Sequence, residues 1–164
     1  MPTLEAVEID FLDRARFVHS TDVDLPATRE EIWDVLVDNG SWSEWFVGCR
    51  SIQAVPPIWS APGDTRTIRV GALVIDEVAV ELEPQARWAM SIIKTNLPLA
   101  SRMLEVLDLI DTSRNGETRT EVRWTGAFDP LSYLGPLNAV IATQLTKKWG
   151  TSLERLFDAV DARR

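Results

Sequence analysis

The stretch VDLPATREEIWDVLVDNGSWSEWF, residues 23–46, changes its apolar period twice and so announces the order of elements. Ala15, Phe17, His19, Thr21, Val23 and Leu25 share one parity while Ser20, Asp22 and Asp24 take the other, which predicts a half-buried strand with His19 on its inward side. Pro26 ends the strand. Thr28 then caps a helix with Glu30 and Glu31 in its first turn and Gly40 as its stop, and Ile32, Leu36 and either Trp33 or Val35 form the buried stripe. SWSEWF reads as a second, short helix in which Ser41 and Glu44 have capping-box spacing. Trp42 and Trp45 fall on one face of it and need a large apolar surface to meet.

Strand-like runs follow at Ser51–Val55, Thr65–Val70, Leu73–Leu82, Arg87–Asn96, Met103–Ser113 and Glu117–Phe128. PPIWSAPGD, GA, EPQA, LPLAS and RNG separate them, and turn chemistry this short predicts hairpins and an antiparallel sheet. In the last run Val122, Trp124, Gly126 and Phe128 share a dry face. The period then lengthens: Leu137, Ile141, Leu145, Trp149, Leu153, Leu156 and Val160 recur at three and four, the stripe of a long amphipathic helix over Leu134–Ala162. One helix covers seven strands only if the sheet curls around it. The two short helices then plug the open end, and the space between sheet, plug and helix becomes a cavity.

Composition narrows the function. The length, 164 residues, predicts a single domain over 1–164 with its core at about 14–162. A formal net charge of −8, with KK at 147–148 and RR at 163–164 as the densest basic runs, argues against nucleic acid as a partner. One Cys and one His exclude a zinc set, and lone Cys49 reads as a core-edge residue rather than a nucleophile. The eight glycines form neither a phosphate loop nor a dinucleotide fingerprint, so no cofactor is expected. Acids near the start and the lack of a long apolar run predict a cytoplasmic protein with no integral membrane segment. Open sheet edges leave monomer and homodimer both possible.

Together with PGDTRTIRV, VAVELEP and NGETRTEVRW, the opening stretch resembles the helix-grip superfamily, which includes the pollen-allergen, START lipid-transfer and polyketide cyclase/dehydrase groups. The resemblance implies an α+β fold: a seven-stranded curved antiparallel sheet wrapped around a long C-terminal helix, with two short helices between strands 1 and 2. It implies binding or transport of a small hydrophobic ligand, a lipid, polyketide or aromatic metabolite. Two alternatives stand beside it, a polyketide cyclase, aromatase or dehydratase working by general acid/base chemistry, and a protein-interaction subunit.

Within that frame His19 and Tyr133 are the candidate catalytic groups, the first as the one imidazole, the second as a hydroxyl like those used in aromatase/cyclase relatives. Trp33, Trp42, Trp45, Trp59, Trp88, Met90, Trp124, Phe128, Leu137, Asn138 and Ile141 are the candidate ligand-binding residues, with Trp42 expected near the mouth and Trp45 deeper. Seven tryptophans against one tyrosine predict a wide apolar interior with few polar hooks. Asp76 has the parity of Val74, Val78 and Val80, which aims it inward, although its place beside the GA turn favours a solvated strand end. Between Met103 and Asp111 each parity carries an acid, Glu105 with Leu107 and Leu109 or Asp108 with Val106 and Ile110, and both remain open.

Overall fold

The computed structural model of the protein describes residues 1–97, 99–132, 135 and 137–164, the side chains of Leu137 and Asn138 excepted. Its elements are β1 (Phe17–Leu25), α1 (Arg29–Val37), α2 (Trp42–Trp45), β2 (Cys49–Val55), β3 (Thr65–Val70), β4 (Leu73–Glu83), β5 (Arg87–Thr95), β6 (Ala100–Asp111), β7 (Thr120–Pro130) and α3 (Leu137–Asp161). The sheet order is β1-β7-β6-β5-β4-β3-β2, and each neighbouring pair is antiparallel. β1 and β2 therefore lie at opposite edges. The connection between them must cross the width of the sheet, and α1 and α2 make that crossing over its open end. This is the helix-grip fold.

The local reasons are those of the sequence, with one exception. Thr28 and Glu31 close a capping box at the start of α1, which buries Ile32, Val35 and Leu36 and leaves Trp33 half-buried. The Ser41–Glu44 box expected at α2 does not form. Instead the Ser41 hydroxyl reaches back to the carbonyls of Val35 at 2.7 Å and Asp38 at 2.8 Å, and the Asp38 carboxylate accepts from the Gly40 N–H at 3.1 Å. A single turn of 3-10 helix at Asn39–Ser41 runs straight into α2, so α2 has no free first turn for Ser41 to cap.

α3 lies across the concave face because Gly126 lets it approach. A Cβ at that position would stand 2.1 Å from the Trp149 ring, which stacks on Trp124 at 5.4 Å. Trp149, Leu153, Leu156, Ala159 and Val160 are buried, whereas Ile141 and Leu145, nearer the helix start, are only half-buried.

The convex face has its own cover. A 3-10 turn at Ile9–Asp13 sets Phe11, with Val7, over Ala89, Leu104, Val106 and Ala127. That second apolar layer explains why both parities of β6 carry apolar residues. Met103, Glu105, Leu107 and Leu109 face inward, and Leu104 and Val106 lie beneath Phe11. It also decides against the inward alternative for Asp76, as its place beside the GA turn favoured. Val80 packs with the convex layer, Asp76 accepts a 2.8 Å hydrogen bond from the Thr67 hydroxyl, and the inward acid of β4 is Glu77, on the parity of Ile75 and Ala79. Among the described residues no helix is long and apolar enough to cross a membrane.

Candidate functional site

The interior is packed with indole rather than open. Trp42, Trp45, Trp59, Trp88, Trp124 and Trp149 are all buried. Trp42 is the hub, with ring centroids 4.6 Å from Trp45, 5.8 Å from Trp88 and 5.9 Å from Trp124. Trp59 stacks on Trp88 at 5.0 Å, and Trp33 sets its edge against the same ring at 6.1 Å. Trp42 is therefore not at the mouth. It is 1% exposed, and its Nε1–H donates to the Leu36 carbonyl at 2.9 Å. Among the described residues these flat rings fill this half of the grip against one another.

Into that aromatic block β3 inserts Arg66. Its guanidinium lies 3.8 Å over Trp42 and 4.9 Å from the Trp59 ring. It pairs with Glu77, donates to Asn39 Oδ1 at 3.0 Å and points a third N–H at Met90 Sδ, 3.1 Å away. Both charges of the pair are buried, so each depends on the other and on these added partners for its solvation. Arg66 has the parity of Ile68 and Val70 on β3, and this was the sequence signal that marks it as inward. Neither Arg66 nor Glu77 was among the residues expected at the site.

Beyond the aromatic block, towards the start of α3, lies an apolar cleft of about 60 Å³. Ile75, Ile92, Leu97, Leu99, Met103 and Leu145 line it, and among the described residues Glu105 is its one ionisable lining group. Trp124 Nε1–H donates to Glu105 Oε2 at 3.0 Å. Burial pushes the Glu105 carboxyl up to about 8, and the nearby Glu77 carboxylate adds to the rise against the opposing effects of the Trp124 hydrogen bond and the Arg66 charge. At neutral pH the group is thus mostly protonated, an uncharged acid that can donate a hydrogen bond into an apolar space. No cluster of His, Cys, Asp and Glu among the described residues is arranged to hold a metal ion.

The structure brings some of the expected site residues together and separates others. Trp124 holds Glu105, Met90 touches Arg66, and Trp33, Trp42, Trp45, Trp59 and Trp88 form the aromatic block. Phe128 is buried with Leu4 and Ala142 and stacks with Phe17 at 5.7 Å and His19 at 6.1 Å. His19 borders a different hollow, between β1 and α3, with Thr21, Thr143, Thr146 and Lys147. Tyr133 lies outside the described residues, as do the side chains of Leu137 and Asn138. Ile141 is half-buried on α3.

A family model described as polyketide cyclase / dehydrase and lipid transport matches residues 14–161. The chain belongs to that family. Among solved structures, a Thermus thermophilus protein superposes with a TM-score of 0.72 at 13% identity, over 90% of this chain and 99% of that one. The Zhui aromatase/cyclase from a Streptomyces species superposes with a TM-score of 0.70 at 14% identity, over 90% and 94%. Uncharacterized proteins of Mycobacterium tuberculosis and Mycobacterium bovis are 30% identical over 86 residues, 52% of this chain and 52% of each of them. That matched region spans about half the length of these curated relatives. As a member of the polyketide cyclase / dehydrase and lipid transport family, the chain shares the grip architecture, while the packed indoles and the Arg66–Glu77 pair describe how this sequence fills it.

Proposed function

We propose that the protein binds a small apolar molecule whose inner end is an uncharged hydrogen-bond acceptor, such as a ketone. The observation that carries this reading is the apolar cleft in which buried Glu105 is the one ionisable lining group among the described residues, its carboxyl pushed up by that burial. Among the described lining residues a carboxylate-ended ligand would meet no cation, and Arg66 is engaged by Glu77. Family membership supports the reading by linking this fold to lipids and polyketides. At about 60 Å³ the cleft admits only part of a ligand as it stands, so binding displaces the half-buried side chains around Leu145.

A direct test titrates wild type with 2-tridecanone and with dodecanoate at pH 7, following tryptophan fluorescence and native mass spectrometry. The ketone is expected to bind at least about tenfold tighter, a difference of roughly 1.4 kcal/mol. Glu105→Leu should remove that preference. Equal or tighter binding of dodecanoate overturns the proposal.

Glu105 also favours a second reading, cyclase or dehydratase chemistry, because a carboxylic acid with its proton held to about pH 8 is placed to act as a general acid on a carbonyl oxygen. Glu105→Gln would then retain ligand and lose turnover of a poly-ketone. His19→Ala, which alters the separate hollow beside β1, would leave turnover in place. Activity that survives Glu105→Gln removes this second reading.

A further inference from the structure

β5 and β6 are paired only from Arg87↔Asp108 to Ser91↔Leu104, yet β5 continues to Thr95 beside β4 and β6 begins at Ala100 beside β7. The sheet is split along this line, and residues 2–5 occupy the split. Thr95 N–H donates to the Pro2 carbonyl at 3.1 Å and Leu4 N–H to the Ile93 carbonyl at 2.9 Å, while Glu5 N–H donates to the Ser101 carbonyl at 2.9 Å on the other side. Successive amides bond to opposite strands, as a short strand laid between two others must. Val7 N–H then bonds Ser91 Oγ at 3.1 Å as the segment passes to the convex face. Through the split Leu4 enters the concave side, where it packs with Ile92, Ala100, Phe128 and Ala142 and forms part of the wall of the Glu105 cleft.

We infer that residues 2–7 are a gate: a strap inserted between β5 and β6 whose Leu4 closes the cleft, and whose withdrawal opens a path from the convex face to Glu105. This rests on the proposal that the cleft receives an apolar ligand. The strap is the element suited to move. It is held by a handful of hydrogen bonds and the Leu4 and Val7 side chains, whereas the strands on either side are each paired along their full outer edges. A gate of this kind sets the rate of exchange and leaves the equilibrium affinity nearly unchanged, because the strap closes again over the bound ligand.

The test uses two arms in a Cys49→Ser background. In the first, no ligand is present: Met103→Cys on the cleft wall reports opening by its rate of reaction with iodoacetamide, and Leu99→Cys is a second reporter should Met103→Cys fail to fold. Leu4→Gly is expected to speed labelling at least about fivefold, and an unchanged rate overturns the gate. In the second arm Thr3→Cys and Lys94→Cys, which face each other across an antiparallel bridge, are joined by a disulfide, and uptake of the neutral dye Nile red is timed before and after reduction. Association and dissociation should both slow at least about tenfold in the locked form and recover on reduction, with less than about a twofold change in Kd. Uptake indifferent to the lock overturns the gate. Labelling that responds to Leu4→Gly while Nile red never binds supports the gate and removes the apolar-ligand proposal instead.

Discussion

Glu105 holds its proton late because it is buried beside another carboxylate, and this ties its ionisation to folding. Unfolded, it titrates near 4.5; folded, near 8, so between these values the native state binds the extra proton and stability falls as pH rises. Urea titrations from pH 5 to pH 8 should show that decline, and Glu105→Gln should flatten it. A second residue-scale contrast lies in the tryptophans of α2. Trp42 Nε1–H is bonded to Leu36, while Trp45 Nε1–H is buried with no partner among the described residues. Trp42→Phe should therefore cost about 1 kcal/mol more than Trp45→Phe, since it strands a buried carbonyl where the other change removes an unpaired donor. Calorimetry that finds Trp45→Phe the more damaging would contradict this account of the aromatic block.

At the scale of the element, α3 is anchored unevenly. Leu153→Ala should destabilise by about 2–5 kcal/mol, because it empties a fully buried site, and half-buried Leu145→Ala by less than about 2 kcal/mol. The difference leaves the start of α3 free to yield to a ligand while its later turns stay fixed. Gly126 sets the depth of the contact. Gly126→Ala should cost about 1–3 kcal/mol by driving the stacked Trp149 ring off the sheet, and combining it with Trp149→Leu should cost less than the sum of the two single changes. Additive losses would mean that Trp149 does not determine the approach of α3.

For the whole molecule, two sets of carboxyl groups titrate in opposite senses. Glu31 accepts from the Arg164 guanidinium and from the Thr28 N–H, and these hold it down to about 2. Hydrogen bonds from Thr112 and Arg119 depress Asp24 as well. Their stabilisation is present above the ordinary carboxylate range and is lost as pH falls towards their folded values. With Glu105 acting from the alkaline side, the stability profile should peak at about pH 5. Truncating Arg163 and Arg164, whose side chains bond to Asp34, Asp38, Glu31 and Pro26, should flatten the acid limb, and should do so least in the variant Glu31→Gln, where the Arg164 partner is already neutral.

Period and turn chemistry by themselves determined the order of elements, the antiparallel sheet and the long final helix, because β1's alternation, the capping box at Thr28 and the stripe through Trp149, Leu153 and Leu156 are local patterns that need no partner to be read. Family resemblance followed from the same patterns. What surrounds each residue was a tertiary matter. Phe11 covers the convex face, so apolar residues on both parities of β6 hid which acid turned inward, and only the packed sheet showed that it is Glu105. Arg66 could be placed on an inward parity, yet its burial is tolerable only because Glu77 from the paired strand β4 and Asn39 with the face of Trp42 from the turn before β2 converge on it. The expected wide cavity became a closed aromatic block for the same reason: counting tryptophans says how much apolar surface must be hidden, and only three-dimensional packing decides whether a ligand or another indole hides it.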